Sequence, residues 1–243
     1  MASTSGTTTA KSERLARYLA RCGVASRRKC EEYIKAGWIR VDGKVVSGPE
    51  MRIVPDQHRV EVRGREVIPP TSFRYIILNK PSGILCTCKA GREKGPTLLD
   101  LVKVPERIFP VGRLDKNSSG LILLTNDGDL TQRLAHPSFE KEKEYLIETG
   151  RPFQPGDLDK LRGGIVLDDG LSRFKVVKKV GERHLQVTLT EGRKRQIRRS
   201  LKAIGLPITS LVRTRFGPLL LFDLPEGHWR DLTRDEIRQL KAP

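Results

Sequence analysis

The residue whose type and setting best suit it for chemistry is Asp115. It lies in Gly112-Arg113-Leu114-Asp115-Lys116-Asn117-Ser118-Ser119-Gly120, a polar loop bounded by glycines that runs into the apolar Leu121-Ile122-Leu123-Leu124. A carboxylate just before such a strand is held at the rim of a rigid sheet, the support that a reacting group requires. It could act as a nucleophile, as a base, or as a partner for developing positive charge. Taken alone, a loop aspartate is as a rule a turn or cap residue, so the case rests on what surrounds it.

Other chemistries leave no mark. There is no GxGxxG after a strand, no GxxxxGK followed by Ser or Thr, and no HExxH, while His58, His136, His184 and His228 are scattered. Cys22, Cys30, Cys86 and Cys88 do not form the two paired arms of a zinc site and read as thiols of a reducing compartment. Neither a cofactor nor a metal is expected.

The elements that must position Asp115 begin around Phe73, after a connection predicted over residues 67–72, where Pro69-Pro70 suits neither helix nor strand ladder. Strands are predicted over residues 74–78, 121–125, 144–148, 175–180, 185–190 and 208–216, and helices over 129–135, 194–204 and 233–240. Strands outnumber helices without a βαβ rhythm. The expectation is an α+β catalytic domain over 73–243, with a mixed, mostly antiparallel sheet, flanking helices and a central cleft.

Residues 12–66 read as a separate module. Ser12 is a candidate cap for a helix carrying Leu15, Leu19 and Cys22, which Gly23 can close. Ser26 caps a second helix with Cys30, Tyr33 and Ile34 on its apolar stripe, stopped by Gly37. Asp42-Gly43 then suits a two-residue hairpin turn between Trp38–Val41 and Lys44–Val46. Arg14, Arg17, Arg21, Arg27, Arg28, Lys29, Lys35, Arg40 and Lys44 are left for the solvent side. The whole chain of 243 residues carries 46 Lys and Arg against 29 Asp and Glu, a net +17. Such charge draws polyanions by counterion release, and nucleic acid is the leading partner class. Residues 1–11, rich in Ser, Thr and Gly, are expected to be a disordered tail without a secretory signal, and no apolar run approaches a membrane span.

Two resemblances sharpen this reading. The Leu15–Leu19 helix, Ser26-Arg27-Arg28, Ile34-Lys35-Ala36-Gly37 and Val41-Asp42-Gly43-Lys44 resemble, in that order, the S4 RNA-binding domain. Gly112-Arg113-Leu114-Asp115 resembles motif II of the pseudouridine synthases, in the branch of the RsuA, RluB, RluE and RluF enzymes. It is accompanied in order by Asn79-Lys80-Pro81-Ser82-Gly83, Lys143-Glu144-Tyr145-Leu146 and Gly192-Arg193-Lys194-Arg195-Gln196-Ile197-Arg198-Arg199.

The resemblance implies conversion of uridine to pseudouridine in ribosomal RNA, large-subunit RNA favoured over small-subunit RNA. Asp115 is then the catalytic carboxylate, Tyr145 the ring that stacks on a flipped base, and Arg198 the ion-pair partner of Asp115. Arg113 is implied near the displaced base. Lys80 is expected among the RNA-binding residues, and Arg193, Arg195, Arg199, Arg213 and Arg215 as a cationic strip on the RNA backbone. Ser118 stands where these enzymes commonly have Thr, and Ser200 where a larger apolar residue is usual, which could loosen helix packing. A cytoplasmic monomer acting on ribosomal RNA or a ribosome-assembly intermediate is expected. A non-catalytic S4-domain assembly factor and an S4-containing RNA methyltransferase are the rivals. The 170 or so residues beyond the module count against the first, and the lack of a glycine-rich turn after a first parallel strand against the second.

Overall fold

A computed structural model of the chain describes residues 12–88, 94–135 and 141–242, divided into two units, Met1–Phe73 and Arg74–Pro243. The tail expected over residues 1–11 lies outside the described residues.

The first unit runs β1 (Glu13–Arg14), α1 (Leu15–Arg21), α2 (Arg27–Lys35), β2 (Ile39–Val41), β3 (Lys44–Val46), β4 (Arg52–Ile53), β5 (Val60–Val62) and β6 (Arg65–Glu66). Ser26 accepts from the Lys29 N–H at 3.3 Å and starts α2, while Gly23 and Gly37 end the two helices at φ +81° and +71°. Ser12 does not cap α1. Arg14 stands at that position without a side-chain bond, and the Ser12 hydroxyl instead accepts from Arg52 Nε at 3.1 Å. The strands pair antiparallel in the order β3-β2-β5-β6, with Asp42 and Gly43 both at positive φ as the β2–β3 turn requires. Leu15, Leu19, Cys30, Ile34, Ile39 and Ile53 close the core between helices and sheet. Val67, read from the sequence as connection, donates its N–H to Val60 O and accepts from the Tyr18 hydroxyl, so it is held by this unit.

The second unit contains β7 (Tyr75–Lys80), α3 (Leu98–Leu101), β8 (Phe109–Pro110), β9 (Ser119–Thr125), α4 (Gly128–Ala135), β10 (Lys143–Thr149), α5 (Asp157–Gly163), β11 (Ile165–Leu167) and β12 (Gly170–Ser172). It continues with β13 (Val176–Lys179), β14 (His184–Leu189), α6 (Gln196–Ala203), β15 (Ile208–Phe216), β16 (Leu219–Leu220), β17 (Trp229–Asp231) and α7 (Arg234–Lys241). The main sheet has the order β13-β14-β10-β15-β9-β7-β17, with β16 on β15 and β8 on β9. Every pairing in it is antiparallel except β9 with β15. This is the α+β fold with a mixed, mostly antiparallel sheet that the sequence leads one to expect.

The continuous apolar run of β9 follows from its place near the middle of the sheet. Ile122 and Leu124 face one core cluster, Leu121 and Leu123 the other, so alternation has no solvent face to mark. Burying each such side chain contributes about 1.5–3 kcal/mol, which makes β9 a stiff base for the loop that precedes it.

Candidate active site

The loop carrying Asp115 enters β9 through Gly120 (φ +101°), whose position opposite Arg213 leaves no room for a Cβ against the Arg213 backbone. Gly112 turns the other end at φ +73°. Between them the Ser118 N–H donates to Asp115 O at 3.1 Å, and the Gly83 N–H to Lys116 O at 2.8 Å. Asp115 is half-buried and Arg113 exposed.

Lys80, expected to touch RNA, does something else. Its side chain is fully buried, and the ammonium donates to Ser118 O and Pro81 O at 2.8 Å and to Lys116 O at 3.3 Å. An ammonium has three protons, and three carbonyls take them. Burial pushes its pKa down to about 8, while the Cys86 thiol and the Asp115 carboxylate pull it back up. Lys80 is therefore an internal strut of the loop.

Tyr145, in the core and almost wholly buried, lies on β10 opposite Val187 of β14 and Arg213 of β15. Glu144 pairs with Arg215 and Tyr145 with Arg213, so Thr214 is the extra residue of a bulge, and its hydroxyl donates to Glu144 Oε1 at 3.0 Å. The bulge sets Arg213 against Tyr145. Arg213 is only 2% exposed, which removes it from the expected backbone-binding strip. Its Nε donates to Leu121 O at 2.7 Å, and its buried Nη2 has no hydrogen-bond partner among the described residues.

The third segment is α6. Its first turn follows Arg195, a non-glycine residue at φ +51°. Arg198 was expected to pair with Asp115, and that ion pair is absent among the described residues. Its Nη2 donates to Asn117 O at 2.5 Å and to the Ser118 hydroxyl at 3.3 Å, so it grips the loop two and three residues past the carboxylate. Burial and the neighbouring Arg195 lower the Arg198 pKa, and Asp115 opposes that shift. Ser200 does not loosen the helix. It is buried and donates to the Ser172 hydroxyl at 2.9 Å, which also accepts from Gln196 Nε2 at 3.0 Å.

Asp115, Tyr145 and Arg198, drawn from three segments distant in sequence, line one cleft of about 530 Å³ together with Arg113, Arg193, Arg195 and Arg213. The remaining expected RNA residues divide by their partners. Arg199 donates to Asp168 at 2.5 Å and to Asp169 at 2.6 Å, and Arg193 to Asp169 Oδ1 at 3.0 Å, so both fix the β11–β12 turn. Arg215 donates to Glu142 at 2.9 Å. In the first unit Arg14, Arg27, Arg28, Lys29, Lys35, Arg40 and Lys44 are all exposed. Arg27 and Lys29 face Glu31 and Glu32, whereas Arg14, Arg28, Lys35, Arg40 and Lys44 make no ion pair among the described residues.

Sequence reasoning missed Lys143, which lines the same cleft and donates to Lys141 O at 2.9 Å. Burial lowers its pKa, as does the charge of Arg213. The signal was present, because Lys143 and Tyr145 are two apart on one strand and share a face. Among the described residues no group of His, Cys, Asp and Glu could hold a metal ion, and no helix is long and apolar enough to cross a membrane.

The RNA pseudouridylate synthase family model matches residues 74–203, and the S4 domain model residues 13–57. An uncharacterized RNA pseudouridine synthase of Aquifex aeolicus (strain VF5) is 39% identical, with 93% of each chain covered. Ribosomal large subunit pseudouridine synthase B of Bacillus subtilis (strain 168) is 37% identical over 95% of this chain and 96% of its own. A solved pseudouridylate synthase superposes with a TM-score of 0.67 at 26% identity, covering 93% of this chain and 99% of that one. With both models in chain order and relatives matched over nearly their whole length, the chain belongs to the RNA pseudouridylate synthase family as a member that carries an S4 domain.

Proposed function

We propose that this enzyme converts a specific uridine of ribosomal RNA to pseudouridine, in large-subunit (23S) rather than small-subunit (16S) RNA, without a cofactor. The observation that carries the reading is the meeting of Asp115, Tyr145 and Arg198 in one cleft, whose volume lies in the usual range of roughly 300–1,000 Å³ for small-molecule sites. The large-subunit preference draws on the name of the Bacillus subtilis relative and on the Gly227–Thr233 segment, which resembles that side of the family.

A base stacked in a helix cannot be reached, so the uridine flips into the cleft and its ring lies on Tyr145. Asp115 then acts at the sugar by one of two routes. It attacks C1′ as the N1–C1′ bond breaks, or it removes a sugar proton to leave a glycal. The freed uracil turns and C5 bonds to C1′, displacing the Asp115 carboxylate in the first route, or with Asp115 returning the proton to the sugar in the second. C5 then gives up its proton and N1 gains one, so the reaction is an isomerisation. Arg198 serves as a positioning residue through Asn117 and Ser118. The unpartnered Nη2 of Arg213 supplies a donor to a uracil carbonyl, and Arg113 lies near the displaced base. The exposed cations of the S4 domain hold phosphates. The enzyme works as a cytoplasmic monomer on ribosomal RNA or an assembly intermediate.

The test is to incubate the protein separately with unmodified large- and small-subunit RNA and map pseudouridine by carbodiimide labelling. Modification at a defined large-subunit uridine is expected. Modification of small-subunit RNA alone would overturn the subunit assignment, and none in either would overturn the ribosomal reading.

A further inference from the structure

Four side chains of the first unit form a column. Lys29 Nζ lies 5.5 Å from the centroid of Tyr33, the rings of Tyr33 and Trp38 are 4.8 Å apart and inclined by 32°, and Arg63 Cζ sits 3.7 Å from the centroid of Trp38. The two ends differ. Lys29 is bound to Glu32 at 2.5 Å, whereas Arg63 is exposed and makes no ion pair among the described residues. Trp38 itself keeps 38% of its surface in solvent.

The backbone beneath Arg63 is unusual for this residue type. Arg63 and Gly64 form the turn between β5 and β6, both at positive φ, +50° and +78°. The first position of such a turn favours Asn, Asp or Gly, and Asp42 occupies the equivalent place between β2 and β3. Arginine gains nothing there as a turn former. Its N–H donates to Trp38 O at 2.9 Å, which fixes the turn against the tryptophan and spreads the guanidinium over the ring. A strained position filled by a poor turn residue with a stacked, exposed planar cation points to use of the side chain.

We infer that this column binds an unpaired RNA nucleobase, which stacks on the open face of the Arg63 guanidinium with Trp38 behind it. This rests on the reading of the chain's substrate as RNA. Guanidinium planes and aromatic rings are the surfaces on which splayed-out bases stack, whatever the base identity. A cation also suits the adjacent phosphate. Duplex RNA, with its bases already stacked, gains nothing from such a platform.

The test measures binding of a labelled ten-nucleotide oligoadenylate and of a blunt RNA duplex by fluorescence anisotropy, for wild type, Arg63→Lys and Trp38→Leu. Oligoadenylate offers no uridine to the catalytic cleft, so failure of the ribosomal assignment leaves this experiment intact. Arg63→Lys keeps the charge without the plane. Both variants should bind oligoadenylate about tenfold more weakly, within the range for one stacked base, and the duplex within about twofold of wild type. Unchanged oligoadenylate binding in Arg63→Lys would overturn the inference, as would equal loss for both RNAs in that variant.

Discussion

Lys80 Nζ lies 2.8 Å from the carbonyl oxygen of Ser118, three residues past Asp115 in the same loop. The loop is thus held from inside by Lys80 and from the α6 side by Arg198, which reaches Asn117 O and the Ser118 hydroxyl. Neither cation hydrogen-bonds the Asp115 carboxylate. Both fix the backbone that aims it.

Replacing Lys80 by Met should therefore lower the single-turnover rate while leaving RNA affinity nearly unchanged. A displacement of the loop by about 1 Å would cost on the order of 100-fold. A loss confined to RNA affinity would return Lys80 to the role of an RNA contact.

The same residue predicts a pH dependence of stability. Its pKa falls to about 8 in the folded protein from an ordinary 10.5. Between those values the unfolded chain binds more protons, so the contribution of Lys80 to stability rises with pH across this window and is a constant cost below it. In thermal melts at pH 7 and pH 9.5, wild type should gain relative to Lys80→Met at the higher pH. An offset that does not change with pH would contradict the burial of a charged amine.

Ser200 is predicted to be needed as a serine. Its hydroxyl meets that of Ser172 inside the protein. Ser200→Leu would overpack the site and remove one hydrogen bond from Ser172. A loss of about 1–3 kcal/mol is expected in urea denaturation. Equal or greater stability would show that the hydroxyl pair contributes nothing.

Asp168 and Asp169 hold Arg199 and Arg193, so an RNA phosphate could reach these cations only in competition with the two carboxylates. The double change Asp168→Asn with Asp169→Asn should raise RNA affinity at low salt and steepen its salt dependence, by about one in slope for each cation freed. An unchanged slope would mean that neither arginine reaches phosphate.

The parts legible in the sequence carried a local signal. The β9 run, the Ser26 cap and the Asp42-Gly43 turn each encode their conformation in a few neighbouring residues. Asp115, Tyr145 and Arg198, which line one cleft, were singled out because three motifs resembled a family in the right order, not because spacing along the chain brings them together. What stayed hidden was the environment of the cations. Lys80 and Arg213 look like surface charges in a basic chain, and only the sheet shows one buried beneath the loop and the other turned inward beside a bulge at Thr214. Helix α3 was missed because four residues carry too little periodicity, and α5 for want of a start signal. The α5 start uses Gly156 at φ +84°, with no capping side chain to announce it.

The central claim is that Asp115 does the chemistry and that the surrounding cations only position it and the RNA. Substituting Asn for Asp115 keeps the size and polarity of the side chain and removes its charge. The direct measurement is pseudouridine formation in unmodified large-subunit RNA by wild type and Asp115→Asn, with RNA binding followed in parallel. The account predicts no detectable pseudouridine from the variant and RNA affinity close to wild type. Pseudouridine formed by Asp115→Asn at a rate near that of wild type would contradict it.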